Sequence, residues 1–502
     1  MTAQGDAVRL GMQLMAGMRS SWIDGRPFDG VGNGRMGHRN PANGDDLGDT
    51  DEADAALVDQ AVVSARACYE RAWGRLTPFE RKTLLLRFAQ VVDDHAGELS
   101  LLEMLEVGRP ISDAGALNAG AGNLIRTYAA KIDTVHGDMF RAEERRMGVV
   151  MRWPRGVVGA IIPWNVPGMN VLLRVAPALA AGNTIVIKTS ELCPRVALLL
   201  ARCATEAGLP DGAFNVVLGA GSVAGAALAG HHDLNLVAFT GSTQTGHAVA
   251  QAAARTSFKP VLLECGGKSP QVVLDDVFDD AGIWNSLFFA AFWNTGQWCV
   301  AKTRLIIPRS RERDAIDGLS AAAKAWQVGD PSDPATRLGP LASRSQHDRV
   351  STYFDKARSL GDVIDLGCPR GETDAQGCYI SPSVVVGLPS GSVLSKEEVF
   401  GPLMTIELFD DIDHAIELAN DTDFGLSASI WTARSDYGYK LARNIKAGGV
   451  AVYSSSEAAK ASGPELGTAR YFEPQKQSGM GLDGGEPGYL AYTTAQSIYF
   501  HN

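Results

Sequence analysis

The sequence has no CxxC pair, no long block of like charge, and no apolar run approaching the ~20 residues that cross a bilayer. Each absence removes a class of function. The seven cysteines, Cys68, Cys193, Cys203, Cys265, Cys299, Cys368 and Cys378, are odd in number and scattered over 502 residues. That excludes a disulfide framework or a zinc ribbon and fits a reduced, cytoplasmic protein. The stretch VLLRVAPALAAG is interrupted by Arg174 and Pro177, so no membrane is expected as a partner. The N-terminus, with Asp6 and Arg9 among scattered Leu and Met, shows neither the apolar core nor the cleavage site of a signal peptide.

Basic surface is scarce as well. Lys and Arg number 46 against 57 Asp and Glu, a net charge of -11, and nucleic acid is not an expected partner because its binding rests on neutralised phosphates. The one basic cluster, Arg141, Arg145, Arg146, Arg152 and Arg155, is broken by Glu143 and Glu144 and reads as a solvated or subunit-facing hairpin. His231-His232 reads as a loop, and no metal site is expected.

What is present is an ordinary globular composition, 45% hydrophobic with 55 glycines, in a chain beyond the ~250–300 residues at which single cores stop growing. Two or more domains follow. Residues 51 to 106 repeat apolar positions at three and four, the pattern of two long amphipathic helices, ALVDQAVVSARACYERAW and ERKTLLLRFAQVVDDHAGELSLLEML. From 156 the period changes. GVVGAIIP, NTIVIK, FNVVLG and LNLVAFTG are short β-branched runs of the kind buried on both faces of a parallel sheet, with helices such as CPRVALLLARCATEAG between them. A second alternating series after 265, through TRLIIP, PLMTIELF, SASIWT and GVAVYS, predicts a second α/β domain. Residues 132 to 152 and the C-terminal AYTTAQSIYF alternate with period two and have no obvious sheet of their own. Each is expected to be an edge strand in need of pairing, with another subunit as one source.

Four stretches carry residue types suited to chemistry. In FTGSTQTG a strand ends at Gly241 and Ser242 can cap a helix whose N-terminus suits a pyrophosphate, although an ordinary cap has the same appearance. The nearby GAGSVAG, with Gly219, Gly221 and Gly225, resembles a dinucleotide fingerprint whose last Gly comes one place late. In KTSE, Glu191 follows a strand and can accept from both ribose hydroxyls of NAD while repelling a 2′-phosphate; the bland alternative is a solvated loop residue. In PWN, Asn165 is a candidate oxyanion donor or simply a turn former. Glu264 in LLECGGKSP lies in an apolar strand, where burial would raise its pKa and make it a usable base. Cys299 in NTGQWCVAKTR follows a Gly-Gln-Trp turn, and taken alone it reads either as a buried sulfur or as a nucleophile.

Their joint, collinear appearance decides between these readings. PWN, KTSE, FTGST, LECGGKSP, GQWC, EEVFGP and FGLSASIWT together resemble the NAD(P)-dependent aldehyde dehydrogenase superfamily, over the chain from about EVGRP at 106 to its end. The fold that this resemblance implies is α/β: a Rossmann-like parallel-sheet cofactor domain (1–131 and 152–265), an α/β catalytic domain (266–482), and a small β oligomerisation element (132–151 and 483–502). A homodimer or homotetramer is implied with it.

The same resemblance implies roles. Cys299 attacks the aldehyde, Asn165 and the Cys299 backbone N–H hold the oxyanion, and Glu264 activates the water that hydrolyses the thioester. NAD is the implied cofactor, held by Ile161, Pro163, Trp164, Lys188, Glu191, Gly221, Gly225, Phe239, Gly241, Ser242, Gln346, Glu398 and Phe400. By position the substrate pocket comprises Val166, Met169, Asn170, Leu173, Trp293, Trp298, Val300, Ser456 and Phe472, whose indole and phenyl walls favour an apolar or aromatic aldehyde. The sequence departs from the family pattern where Tyr453 stands in an Asn position and a longer loop precedes Lys476, and Thr189 replaces the more usual Pro or Val. Two rivals stay open: a CoA-acylating enzyme, which would lack the base that Glu264 supplies, and a catalytically silent binding protein.

Overall fold

The computed structural model describes residues 3–28, 32, 34–140, 146–461 and 471–501. Its centre is a parallel sheet of five strands: β1 (Val157–Ile161), β2 (Thr184–Lys188), β3 (Phe214–Val217), β4 (Leu236–Thr240) and β5 (Val261–Glu264). They lie in the order β3-β2-β1-β4-β5. Successive residues alternate between two cores, as the strand's two-residue period requires. Val158, Ala160, Ile185 and Ile187 face one side, packed with helix α1 (Pro167–Ala180) and the N-terminal helices. Val157, Val186, Val237 and Phe239 face the other, against the helix Ala55–Arg71. Both faces are covered, which is why these strands read as unbroken apolar runs. Antiparallel pieces close the edges, Trp22–Ile23 on β3 and Gly479–Met480 on β5.

A second sheet follows: β6 (Pro270–Val273), β7 (Arg304–Pro308), β8 (Asp362–Asp365), β9 (Ser383–Val386), β10 (Leu403–Phe409), β11 (Ser427–Trp431) and β12 (Gly449–Tyr453). The order is β8-β9-β10-β7-β6-β11-β12, parallel except for the edge strand β8. β6, β8 and β9 are additions to the strands read from sequence. β6 is only four residues long and stands inside the GGKSP motif, so its periodicity is too short to register. The long helix read over 80–105 is two helices, Pro78–Asp94 and Ala96–Val107, divided at His95. A Thr77–Glu80 capping box fixes the start of the first.

The two segments that alternate with period two find their pairing in each other. Arg146–Pro154 and Thr493–His501 pair antiparallel with each other along their whole length, and Asp138–Met139 adds a third strand. The two orphan segments therefore supply each other's sheet within one chain. Residues 141–145, including Arg141 and Arg145 of the basic cluster, lie outside the described residues. No helix among the described residues is long and apolar enough to cross a membrane.

Candidate functional site

The strand order reverses between β1 and β4, and in open α/β sheets ligands bind outside the carboxyl ends of the strands at such a point. The chain leaves those ends as Pro163–Asn165 after β1, Thr189–Glu191 after β2 and Gly241–Ser242 after β4, with Glu264 closing β5. Every strand-end motif singled out in the sequence thus lies on one edge. Ile161 and Phe239 are core residues just beneath it.

Lys188, Glu191 and Gly221 come together there. Lys188 Nζ is 3.1 Å from Glu191 Oε2, and the Gly221 N–H donates to Glu191 Oε1. Burial opposes ionisation of Glu191, but Lys188 and the neighbouring N–H groups outweigh it and hold the carboxyl below its usual range. The GAGSVAG segment winds from Gly221 to Gly225 as a single wide turn, and Gly225 faces the Lys188 stem. Ser242 caps helix α2 (Thr243–Thr256), its Oγ accepting from the Thr245 N–H at 3.3 Å. Gly241 has no room for a side chain, since a Cβ there would sit 2.6 Å from the Phe239 ring. The result is a helix N-terminus under a bare backbone, with free amide dipoles directed outward.

A second lobe faces it. Trp164 meets Phe400 edge-on at 5.4 Å, and Phe400 adopts φ +58°, a left-handed conformation that needs outside support. Gln346 Nε2 donates to the Phe400 carbonyl at 2.7 Å, and Arg349 donates to the carbonyls of Val399 and Glu398 at 2.6 and 2.7 Å. Glu398 Oε1 accepts from the Gly267 N–H at 2.9 Å, and burial pushes its pKa up to about 7. Two carboxylates, a capped helix N-terminus and an indole suit the two riboses, pyrophosphate and rings of a dinucleotide.

Cys299 sits at the meeting of the two sheets. It follows helix α3 (Ile283–Phe292) and a turn in which Asn294, Thr295 and Gly296 all have positive φ, +53°, +56° and +72°. Side chains hold this turn from outside. Asn294 Nδ2 reaches the carbonyls of Asn165 and Gln297, Thr295 Oγ1 donates to the Gly339 carbonyl, and Gln297 Oε1 accepts from the Ala342 N–H. The turn delivers Cys299 Sγ to 3.8 Å from Glu264 Oε1. Burial pushes the Cys299 thiol well up, Glu264 and Glu398 push it further, and the N–H groups of Val300 and Cys299 itself pull the other way.

Glu264 is buried, and burial with the Asp483 charge raises its pKa to about 7 against the pull of Arg174. Arg174 is a residue whose role the sequence reading missed. From inside helix α1 it donates to Glu264 Oε2 at 2.8 Å, to Asp483 Oδ2 at 2.6 Å and to Thr240 Oγ1 at 2.9 Å. A signal was present: an Arg inside an apolar helix must find buried anionic partners. Asn165 is 6% exposed, and its side-chain amide pairs with that of Asn170 at 3.1 Å.

The pocket candidates divide. Val166, Trp293, Trp298 and Ala301 form one apolar cluster, with Met169 and Val300 against it, and the two indoles meet edge to face at 5.1 Å. Asn170 touches Asn165, while Leu173 packs on the N-terminal core. Phe472 pairs its backbone with Asp483, whose carboxylate shares Arg174 with Glu264. Ser456 belongs elsewhere. Its N–H and Oγ are both taken by Asp280, just before the start of α3, and ten residues of helix, ~15 Å, separate that end from Trp293. Residues 462–470 of the unusual late loop lie outside the described residues.

This arrangement is that of an α/β fold suited to a dinucleotide, with a cysteine and a carboxyl group facing each other beside its strand-end edge. Comparison narrows it. The aldehyde dehydrogenase family model matches residues 30–498, and the chain belongs to that family. It is 39% identical over 463 residues to the aminoacetaldehyde dehydrogenase of Pseudomonas aeruginosa, covering 92% of this chain and 91% of that protein. It is 36% identical to the NADP/NAD-dependent aldehyde dehydrogenase PuuC of Escherichia coli, covering 88% and 87%. Among solved structures, the γ-glutamyl-γ-aminobutyraldehyde dehydrogenase of Burkholderia cenocepacia superimposes with a TM-score of 0.92 at 35% identity, over 98% of this chain and 99% of that one. An indole-3-acetaldehyde dehydrogenase from P. syringae, solved with NAD+ and IAA, gives 0.92 at 32% identity, over 99% of each. This chain is an NAD(P)-dependent aldehyde dehydrogenase.

Proposed function

We propose that the chain oxidises an apolar or aromatic aldehyde to its carboxylic acid with NAD, through a thioester on Cys299. The observation that carries this reading is the 3.8 Å approach of Cys299 Sγ to Glu264 Oε1 beside the cofactor edge. Cys299 attacks the aldehyde carbon as the thiolate, its proton having passed to solvent. The Asn165 amide and the Cys299 N–H stabilise the oxyanion of the thiohemiacetal, a donor pair worth ~3–4 kcal/mol per lost member in comparable sites. Bound NAD would supply the acceptor for the hydride that the thiohemiacetal carbon loses in becoming the thioester. Glu264 then takes a proton from the water that attacks the thioester, and the acid departs with Cys299 free again.

The resident groups fit NAD. Lys188 and Glu191 would hold the adenosine ribose, Gly241 and Ser242 the pyrophosphate, and Glu398 with Phe400 the nicotinamide ribose, with Gln346 supporting the loop. Glu191 favours NAD, because a 2′-phosphate would approach an existing carboxylate. Glu191→Gln is expected to raise the NADP-to-NAD ratio of kcat/KM by about tenfold, the effect of removing one partly screened like-charge contact. Steady-state kinetics with both cofactors checks this, and an unchanged ratio would remove Glu191 as the selector.

Residues 1–131 with 152–265 make up the NAD-binding domain, 266–482 the catalytic domain, whose Glu398 and Phe400 also reach the cofactor, and 132–151 with 483–502 the oligomerisation element of a cytoplasmic homodimer or homotetramer. The paired indoles of Trp293 and Trp298, in one apolar cluster with Val166, support the substrate class. A second reading, an amino aldehyde, is favoured by the activities for which two relatives are named and by the attraction of ammonium groups to indole faces. NADH formation over a panel of aliphatic, aromatic, amino and carboxylated aldehydes separates the two. Added CoA tests the acyl-transfer rival, which Glu264 argues against, and NAD binding without any turnover would favour the silent binding protein.

A further inference from the structure

The carbonyl oxygen of Asn165 is gripped by two buried side chains. Arg109 Nη2 donates to it, and Asn294 Nδ2 donates to it at 2.9 Å. Arg109 is 1% exposed, and its Nε donates to the fully buried Glu103 Oε2 at 2.7 Å. Glu103 turns its other oxygen to the Gly168 N–H, at the start of helix α1, at 3.2 Å. The guanidinium also lies over the Trp293 ring, 5.2 Å from its centre. One ion pair therefore touches the turn bearing Asn165, the first turn of the following helix, and the indole at the end of α3.

We propose that Arg109 is a positioning residue for aldehyde oxidation, fixing the Asn165 peptide, and with it the side-chain amide, in register with the turn that presents Cys299. The inference rests on the roles given above to Asn165 and Cys299. Stability alone does not explain the pair, because a buried ion pair is generally no more stabilising than apolar residues of the same volume. Geometry does explain it. Asn294 lies in the left-handed turn, and its amide joins the Asn165 carbonyl to the Gln297 carbonyl, so the peptide that Arg109 holds sets where the Asn165 side chain stands relative to that turn. Arg109 supplies what a neutral residue cannot: a planar fork that binds Glu103 and the Asn165 carbonyl at once.

The test is a double-mutant cycle between the pair and Asn165. Arg109→Met alone would strand the Glu103 charge, so Glu103→Gln and Arg109→Met are made together, in the wild-type and Asn165→Ala backgrounds, with thermal unfolding and the KM for NAD as controls. In the wild-type background kcat should fall about tenfold to thirtyfold, the scale of a sub-ångström misplacement, with the KM for NAD held within about twofold. In the Asn165→Ala background, itself about 100-fold down, the same pair of changes should alter kcat by less than about twofold, since the group being positioned is gone. Arg109→Lys, which keeps the charge and loses the fork, should recover part of kcat, and it carries the same cycle where the paired variant does not fold.

An equal loss in both backgrounds, or no loss in the wild type, overturns the proposal while the role of Asn165 stands. A wild-type kcat in Asn165→Ala itself overturns both.

Discussion

Cys299→Ala is expected to abolish NADH formation from every aldehyde, lowering kcat by about 10⁴-fold or more, because no other group at the site can form the thioester. The remaining six cysteines offer no substitute. Cys265 is the nearest in sequence to the site, but it lies buried under helix α2 against Gly246, and burial pushes its thiol up to about 12. Cofactor binding should survive, since Lys188, Glu191, Ser242 and Glu398 do not depend on the sulfur. Turnover by rapid mixing and NAD titration by calorimetry check the two halves. Residual activity above a few per cent of wild type would mean that the nucleophile is elsewhere.

Glu264→Gln is the second large effect and differs in kind. The nucleophile and the oxyanion donors remain, so one equivalent of NADH per site should appear as a burst. Steady-state turnover should then fall by about 10²–10⁴-fold because the thioester waits for a base. Glutamine keeps an oxygen for Arg174, and Arg174 keeps Asp483, so the fold is not deprived of a buried counter-ion. The pH profile gives an independent check. Burial and Asp483 raise Glu264 to about 7, so the carboxyl is protonated and inactive below that value. Wild-type kcat should therefore rise as pH increases through about 7, and the variant should lose that limb. If the limb persists in Glu264→Gln, it belongs to another group, with Glu398, also raised to about 7, the first to examine.

Much of the site was legible because its chemistry is carried by residues at strand ends, where sequence and position coincide. A β-branched run followed by Pro-Trp-Asn, by Lys-Thr-Ser-Glu or by Gly-Ser-Thr places its functional atoms on one edge once the strands are parallel. The supporting residues were illegible for the opposite reason. Arg174 and Asp483 are 309 positions apart, Arg109 and Asn165 are 56 apart, and Arg349 acts on the carbonyls of Glu398 and Val399 about fifty positions away. No local period records such pairs. Ser456 shows the converse error: a serine near a late pocket loop in sequence proves to be bound by Asp280 at the far end of α3.

By itself the sequence determined the class of chain, the parallel sheets, the motifs and the family, because these follow from apolar periodicity, turn residues and short collinear signatures. Only the tertiary structure decided how the pieces are held. It brought Cys299 Sγ within 3.8 Å of Glu264, set Arg174 between two carboxylates, and paired the two orphan strands with each other. The physical reason is that the balance between burial and charge, which sets the state of Glu264 and Cys299, depends on groups contributed by distant segments. That balance exists only after both sheets have closed around it.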